Sequence, residues 1–328
     1  MNNKVRLFGP MFILISFLNQ LVIAQTQSNA PVMQFMIPAD ISVHVLRSIQ
    51  LPNGIELEYA EKGATSGIPV IFLHGYTDSW HSYDQVLPLL PGSIHAYVLS
   101  QRGHGNSDRP EKGYKPEDFA SDIAGFMQRL KIESAIIVGH SMGATIAQRF
   151  ALDYPQKTKA LVLVASFASF KTNPGIAELT GIISKIEDPI DSGFVYEFQK
   201  STLFRPVEAS AVRTYVKESM KVPARVWKAV AEETISVDYS QAVKQITVPT
   251  LIVWGDKDVF CPEADQYILK NAIKRSTLLI YEGIGHAIHW EDPERFARDL
   301  TGFINMAEDN GMSNQIDISN DINAGIFY

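Results

Sequence analysis

The sequence predicts an α/β fold, a mostly parallel twisted sheet with helices on both faces and a helical insertion late in the chain. Three observations predict it. Short runs that are apolar on both faces alternate with amphipathic stretches, as buried parallel strands alternate with crossover helices. A hairpin signal, Pro52-Asn53-Gly54, precedes these runs and supplies an antiparallel start. The alternation then stops between about residues 168 and 245, where helical patterns follow one another without a strand.

Length and composition set the frame. With 328 residues, 46% of them hydrophobic, the chain can bury one large core. The formal charge is −7 and no Lys/Arg run stands out, so nucleic acid is not an expected partner. The single cysteine, Cys261, excludes an internal disulfide and Cys-based metal clusters, and it reads as a small buried residue.

The elements follow in chain order. Residues 1–24 read as a signal peptide: Lys4 and Arg6 precede the apolar stretch "LFGPMFILISFLNQLVIA", and Val22-Ile23-Ala24 offers a cleavage site. Gly9, Pro10, Asn19 and Gln20 interrupt the stretch, leaving too short an apolar core for a comfortable membrane span, although an uncleaved anchor is the alternative. Cleavage removes two positive charges and leaves 27 basic against 36 acidic residues, or −9. The expectation is an exported protein, periplasmic or secreted, with no stable membrane anchor once the peptide is gone. Residues 25–41 form an extension.

A core over 42–167 and 246–307 comes next. "VHVLRSIQL" and "IELEYAEKG" flank the hairpin turn, followed by the strand runs "PVIFLHG", "HAYVLSQ", "SAIIVGH", "ALVLVAS", "TLIVWGD" and "TLLIYEG". The helix "KPEDFASDIAGFMQRL" opens with Pro116 in its first turn and with acidic residues that suit the helix dipole. "PERFARDLTGFINM" closes the pattern near residue 306 in the same way. Between the halves, residues 168–245 read as a helical cap, with "GIAELTGIISKIEDP", "EASAVRTYVKESM" and "PARVWKAVAEETI" as helices. The competing reading is a row of ordinary crossover helices with missed strands. The tail 308–328 is polar and without periodicity, and reads as flexible.

The chemistry concentrates where strands end. In "AIIVGHSMGATIAQRFA" a serine, Ser141, stands between strand and helix with Gly139 and Gly143 two residues to either side. That spacing fits a sharp turn that presents the hydroxyl at a helix amino end, where free N–H groups favour negative charge. A serine nucleophile needs a base and an orienting acid. His286, in the glycine-flanked loop "YEGIGHAIHWEDPERF", is the candidate base. His289, beside Trp290 and without a preceding glycine, looks like a packing residue, and His140 adjoins the serine on a turn whose side chains diverge. The loop after "ALVLVAS" carries no carboxylate, so the acid comes from the Gly255-Asp256-Lys257-Asp258 turn.

Taken together, these motifs resemble the α/β-hydrolase fold superfamily, in its branch of cap-bearing, cofactor-free serine hydrolases (esterase- or lactonase-like). The resemblance covers roughly residues 42 to 306. "VGHSMGA" is similar to the nucleophile elbow, and "GIGHAIHWEDPERF" to the catalytic-histidine loop. "WGDKDVFCP" matches the pattern that puts the acid at the second aspartate, Asp258. "FLHGYTDSW" looks like the oxyanion loop, which implies that the backbone N–H groups of Tyr76 and Met142 bind the oxyanion. "SQRGHGNSDRP" resembles the family's Arg-Gly-x-Gly-x-Ser turn, with Ser100 where aspartate is common.

The resemblance implies a Ser141–His286–Asp258 triad, a small-molecule substrate, and neither cofactor nor metal. A serine at the elbow argues against the dehalogenases and epoxide hydrolases of this fold, which carry aspartate there. Trp80, Tyr196 and Trp227 are candidates for the substrate pocket, although aromatics at helical spacing are also ordinary core. A carboxylic ester or lactone is the favoured substrate. A C–C bond hydrolase, a cofactor-free perhydrolase and a slow-turnover ligand-binding protein remain alternatives.

Overall fold

The computed structural model describes residues 44–171 and 173–312; the expected signal peptide, the extension 25–41 and residues 313–328 lie outside the described residues. One eight-stranded sheet carries the fold, in the order β1-β2-β4-β3-β5-β6-β7-β8. The first two strands, β1 (Val45–Gln50) and β2 (Glu56–Lys62), pair antiparallel across the predicted hairpin. Gly54 takes φ 87 there, a backbone state open to glycine. β2 is also antiparallel to β4 (Ile94–Leu99). The remaining strands run parallel: β3 (Ile68–Leu73), β5 (Ala135–His140), β6 (Thr158–Val164), β7 (Thr250–Gly255) and β8 (Ser276–Tyr281).

The apolar runs explain the layering. Every residue of β4, β5 and β7 is buried, so these strands need cover on both faces. α2 (Met142–Asp153) packs on β3, β5 and β6 and is joined by α1 (Pro116–Leu130). α7 (Glu263–Ala272) packs on β7 and β8, and α9 (Pro293–Met312) on β6. β1 and β8 are the edges; the side chains of β1 are mostly exposed, and those of β8 are half-buried between buried Ser276 and Tyr281. α9 runs to Met312, past the expected end of the core at residue 307, and an ion pair of Lys159 with Glu308 (2.6 Å) holds that extra turn to β6.

Four helices fill the interval between β6 and β7: α3 (Pro174–Ile183), α4 (Ser192–Ser201), α5 (Ala209–Met220) and α6 (Ala224–Ile235). α3 packs on α6 and α4 on α5. α4 was not among the helices expected from the sequence. Its start is marked by Asp191, whose side chain accepts from the Phe194 N–H at 2.8 Å, an ordinary N-cap. A short helix, α8 (Ile288–Glu291), precedes α9. No helix among the described residues is long and apolar enough to cross a membrane.

The strand order places the site. The chain moves outward from β3 to β4, then returns past β3 to β5, so β3 and β5 diverge at a topological switch point. Open α/β sheets form their binding crevice there, beyond the carboxyl ends of the strands. Tyr76 follows β3 and Ser141 follows β5.

Candidate active site

Ser141 has φ 53 and ψ −114, a strained conformation for a residue with a side chain. Its own N–H donates to the Val164 carbonyl at 2.9 Å, which pins the turn to β6. The flanking glycines are required by close approach. A Cβ on Gly139 would lie 2.2 Å from the Gly143 oxygen, and one on Gly143 would lie 2.4 Å from the Leu73 oxygen. Strand, turn and helix are packed backbone on backbone, which leaves the serine hydroxyl facing the crevice.

The His286 Nε2 lies 2.9 Å from Ser141 Oγ, and its Nδ1 lies 2.8 Å from Asp258 Oδ2. The Asp258 side chain is fully buried, and its other oxygen accepts the Phe260 and Cys261 N–H groups at 2.8 and 3.0 Å. A carboxylate held this way offers only acceptors, so His286 Nδ1 carries the hydrogen and Nε2 is free to accept the serine proton. Asp256, two residues earlier, instead accepts the Gly283 N–H at 2.5 Å and pairs with Lys257 at the surface. A Cβ on Gly255 would meet the Ile284 and Gly285 oxygens at 2.4 Å, so the acid and histidine loops are also in backbone contact.

The other histidines and the cysteine have different surroundings. His289 is fully buried, contacts Ser82 Oγ through Nε2 at 3.0 Å and stacks on Tyr83; burial lowers its pKa to about 3. His140 lies beneath His286 and donates from Nε2 to the His286 carbonyl at 3.1 Å; burial, with its histidine neighbours, pushes its pKa well down. Cys261 Sγ sits within 4.8 Å of ligand atoms of Asp258 and His286. Burial holds the thiol protonated, and it donates to the Ala165 carbonyl at 2.9 Å, an arrangement unlike that of a metal-bound thiolate.

An apolar cavity of about 80 Å³ opens onto Ser141 and His286. Tyr76 and Met142 line it from the core, and Ile176, Leu179, Ile183 and Phe198 from the insertion. The three aromatic pocket candidates are not among its lining residues. Trp80 is buried against His81, with ring centroids 3.8 Å apart. Tyr196 is on the outer face of α4, 43% exposed beneath Lys200. Trp227 is fully buried one layer behind the cavity, packed edge-on to Tyr76 and Phe198. Aromatic character marked them as candidates but carried no information about which of them the fold would bury, or on which side of the cavity wall.

Two lining residues, Asp78 and Gln199, had no local sequence signal. Asp78 is buried and accepts from Gln199 Nε2 at 2.9 Å, and burial raises its carboxyl to about 7. Ser100, where the resemblance led one to expect aspartate, donates to Glu58 at 3.1 Å and receives the Trp80 N–H at 3.3 Å. The hydroxyl thus performs the turn-holding task without touching the cavity.

A serine, a histidine and an aspartate in hydrogen-bonded series at the switch point of a doubly covered sheet define a class of α/β proteins equipped for nucleophilic chemistry. This chain belongs to the α/β-hydrolase fold family, whose model matches residues 68–293. It is 29% identical over 279 residues to a putative non-heme chloroperoxidase of Synechocystis, covering 76% of this chain and 95% of that protein. It is 27% identical over 260 residues to 2-(acetamidomethylene)succinate hydrolase of Mesorhizobium japonicum, covering 76% and 92%. Among solved structures, an esterase of Exiguobacterium antarcticum superposes with a TM-score of 0.71 at 24% identity, over 79% of this chain and 98% of that one.

Proposed function

We propose that the protein is a serine hydrolase that cleaves a carboxylic ester or lactone of a small molecule. The observation that carries this reading is the series Asp258–His286–Ser141, with contacts of 2.8 and 2.9 Å, at the mouth of an apolar cavity. His286 takes the Ser141 proton as Oγ attacks the substrate carbonyl, and Asp258 fixes the imidazole tautomer and balances its charge. The Tyr76 and Met142 N–H groups receive the oxyanion, each contributing about 3 kcal/mol to the transition state. The histidine then protonates the leaving oxygen and activates the water that releases the acyl group. Nucleophile, proton transfer and charge stabilisation all come from the chain itself. The small apolar cavity favours a short, uncharged acyl group.

A second reading keeps the acyl-enzyme and changes the acceptor. The likeness to proteins named non-heme chloroperoxidases favours a perhydrolase, in which hydrogen peroxide in place of water attacks the acyl-enzyme and leaves as a peracid. We further place the protein outside the cytoplasm, on the basic and apolar character of residues 1–24.

The test uses purified protein, a fluorophosphonate probe and a panel of p-nitrophenyl esters and lactones, with and without peroxide and bromide. Labelling is expected at Ser141, and Ser141→Ala should abolish labelling and turnover together. A label mapped to Ser107 or another serine would remove the assignment. Bromide oxidation that depends on peroxide and exceeds hydrolysis would favour the second reading.

A further inference from the structure

Three consecutive residues of the turn after β3 each hold a different helix of the insertion. Tyr76 Oη donates to the Trp227 carbonyl of α6 at 2.6 Å. The hydroxyls of Thr77 and Ser219 meet at 3.0 Å, tying the turn to α5. Gln199 of α4 donates from Nε2 both to Asp78 Oδ1 at 2.9 Å and to Ser219 Oγ at 2.7 Å. Ser219 Oγ is thus shared between Gln199 and Thr77, which joins α4, α5 and the turn in one hydrogen-bonded series.

The network is buried and it restrains a strained residue. Thr77, Asp78, Gln199 and Ser219 are all buried, and hydrogen bonds in such surroundings are stronger than at the surface. Thr77 stands at φ 66, in the left-handed region that a β-branched side chain avoids. Such a conformation persists only when its surroundings hold it. The neighbouring residue on one side is Tyr76, which lines the cavity, and on the other is Asp78, whose buried carboxyl accepts the Gln199 amide.

We propose that Gln199, Ser219 and Thr77 are positioning residues that lock this turn so that the Tyr76 N–H stays aimed at the oxyanion. The helical insertion is then part of the catalytic apparatus as well as a wall of the pocket. The proposal rests on the reading of Tyr76 as an oxyanion donor.

The test compares wild type with Thr77→Val, Ser219→Ala and Gln199→Met, and with Tyr76→Phe, which removes a single tie and is the variant least exposed to folding failure. kcat and KM are measured on a p-nitrophenyl acetate-type ester. Inhibition by butylboronic acid, whose tetrahedral serine adduct places an oxygen in the oxyanion position, is measured alongside, and melts establish folding. The expected result is a fall in kcat of about tenfold or more with KM within about twofold, and boronate inhibition weakened in parallel. Thr77→Val and Ser219→Ala should be strongly non-additive, because they break the same bond. Folded variants that keep kcat and boronate affinity, or that change only KM, overturn the proposal. Ester turnover that survives in Ser141→Ala, together with a wild type that ignores the boronate, removes the underlying reading instead, and that failure is distinct from the first.

Discussion

At the scale of single residues, the two aspartates of one turn show how two positions divide the work. Asp258 has both oxygens engaged inside the protein, one on His286 and one on two backbone N–H groups. An amide there must either present N–H to N–H or force His286 into the other tautomer, which cannot accept the serine proton. Asp258→Asn is therefore expected to stay folded and to lose on the order of 10⁴ in turnover. Asp256→Asn loses one turn hydrogen bond and about 1 kcal/mol of stability while keeping its activity. Steady-state kinetics beside thermal melts separate the two, and a dead but stable Asp256→Asn would exchange their roles. Ser141, His286 and the aspartate turn were legible in the sequence because glycines at fixed spacing flag turns at strand ends. Asp78 and Gln199 were not, since they lie 121 positions apart and meet only through the fold.

At the scale of elements, the insertion is where pattern reading ran out. Helical periodicity identified it as helical, but periodicity assigns a buried face without saying what is buried against it. The structure gives α3 the cavity-facing residues Ile176, Leu179 and Ile183, and turns Tyr196 of α4 to solvent. Leu179→Ala is accordingly expected to enlarge the acyl site. The kcat/KM ratio of butyrate over acetate ester should rise by roughly fourfold per methylene newly accommodated, equivalent to about 0.8 kcal/mol each. Tyr196→Ala should leave that ratio unchanged. A ratio that follows Tyr196 and ignores Leu179 would mean that the acyl group lies elsewhere.

At the scale of the whole molecule, the buried histidines set the response to acid. His74, His104, His140 and His289 are buried and their pKa values are lowered, with His104 at about 4 and His289 at about 3, chiefly because burial penalises the charged ring. The unfolded chain takes up these protons below about pH 6.5, whereas the folded one does not. The stability is therefore complete above that pH and declines as the pH falls, by about 1.4 kcal/mol per pH unit for each histidine. Asp78, raised to about 7 and facing Ser82 and His286 from the core and Gln199 from the insertion, has the opposite sign. Its contribution is complete below the ordinary carboxylate range and is lost as pH rises through about 7, so it offsets one of the four. The melting temperature should fall between pH 7 and pH 5, less steeply in His289→Gln, and a flat profile would refute the account. The strand alternation that announced the fold could not announce this behaviour, because it depends on which histidines the layers enclose. The insertion has a related consequence for heredity. Asn173 at the start of α3 donates to the Phe260 carbonyl, the Thr202 carbonyl after α4 receives the His286 N–H, and Tyr76, Thr77 and Asp78 bind α6, α5 and α4. Grafting the insertion of a relative onto this core would sever contacts to the loops of Asp258 and His286 and to the turn after β3. New specificities are more readily reached by drift along the inward face of α3 than by exchange of the whole insertion as a cassette.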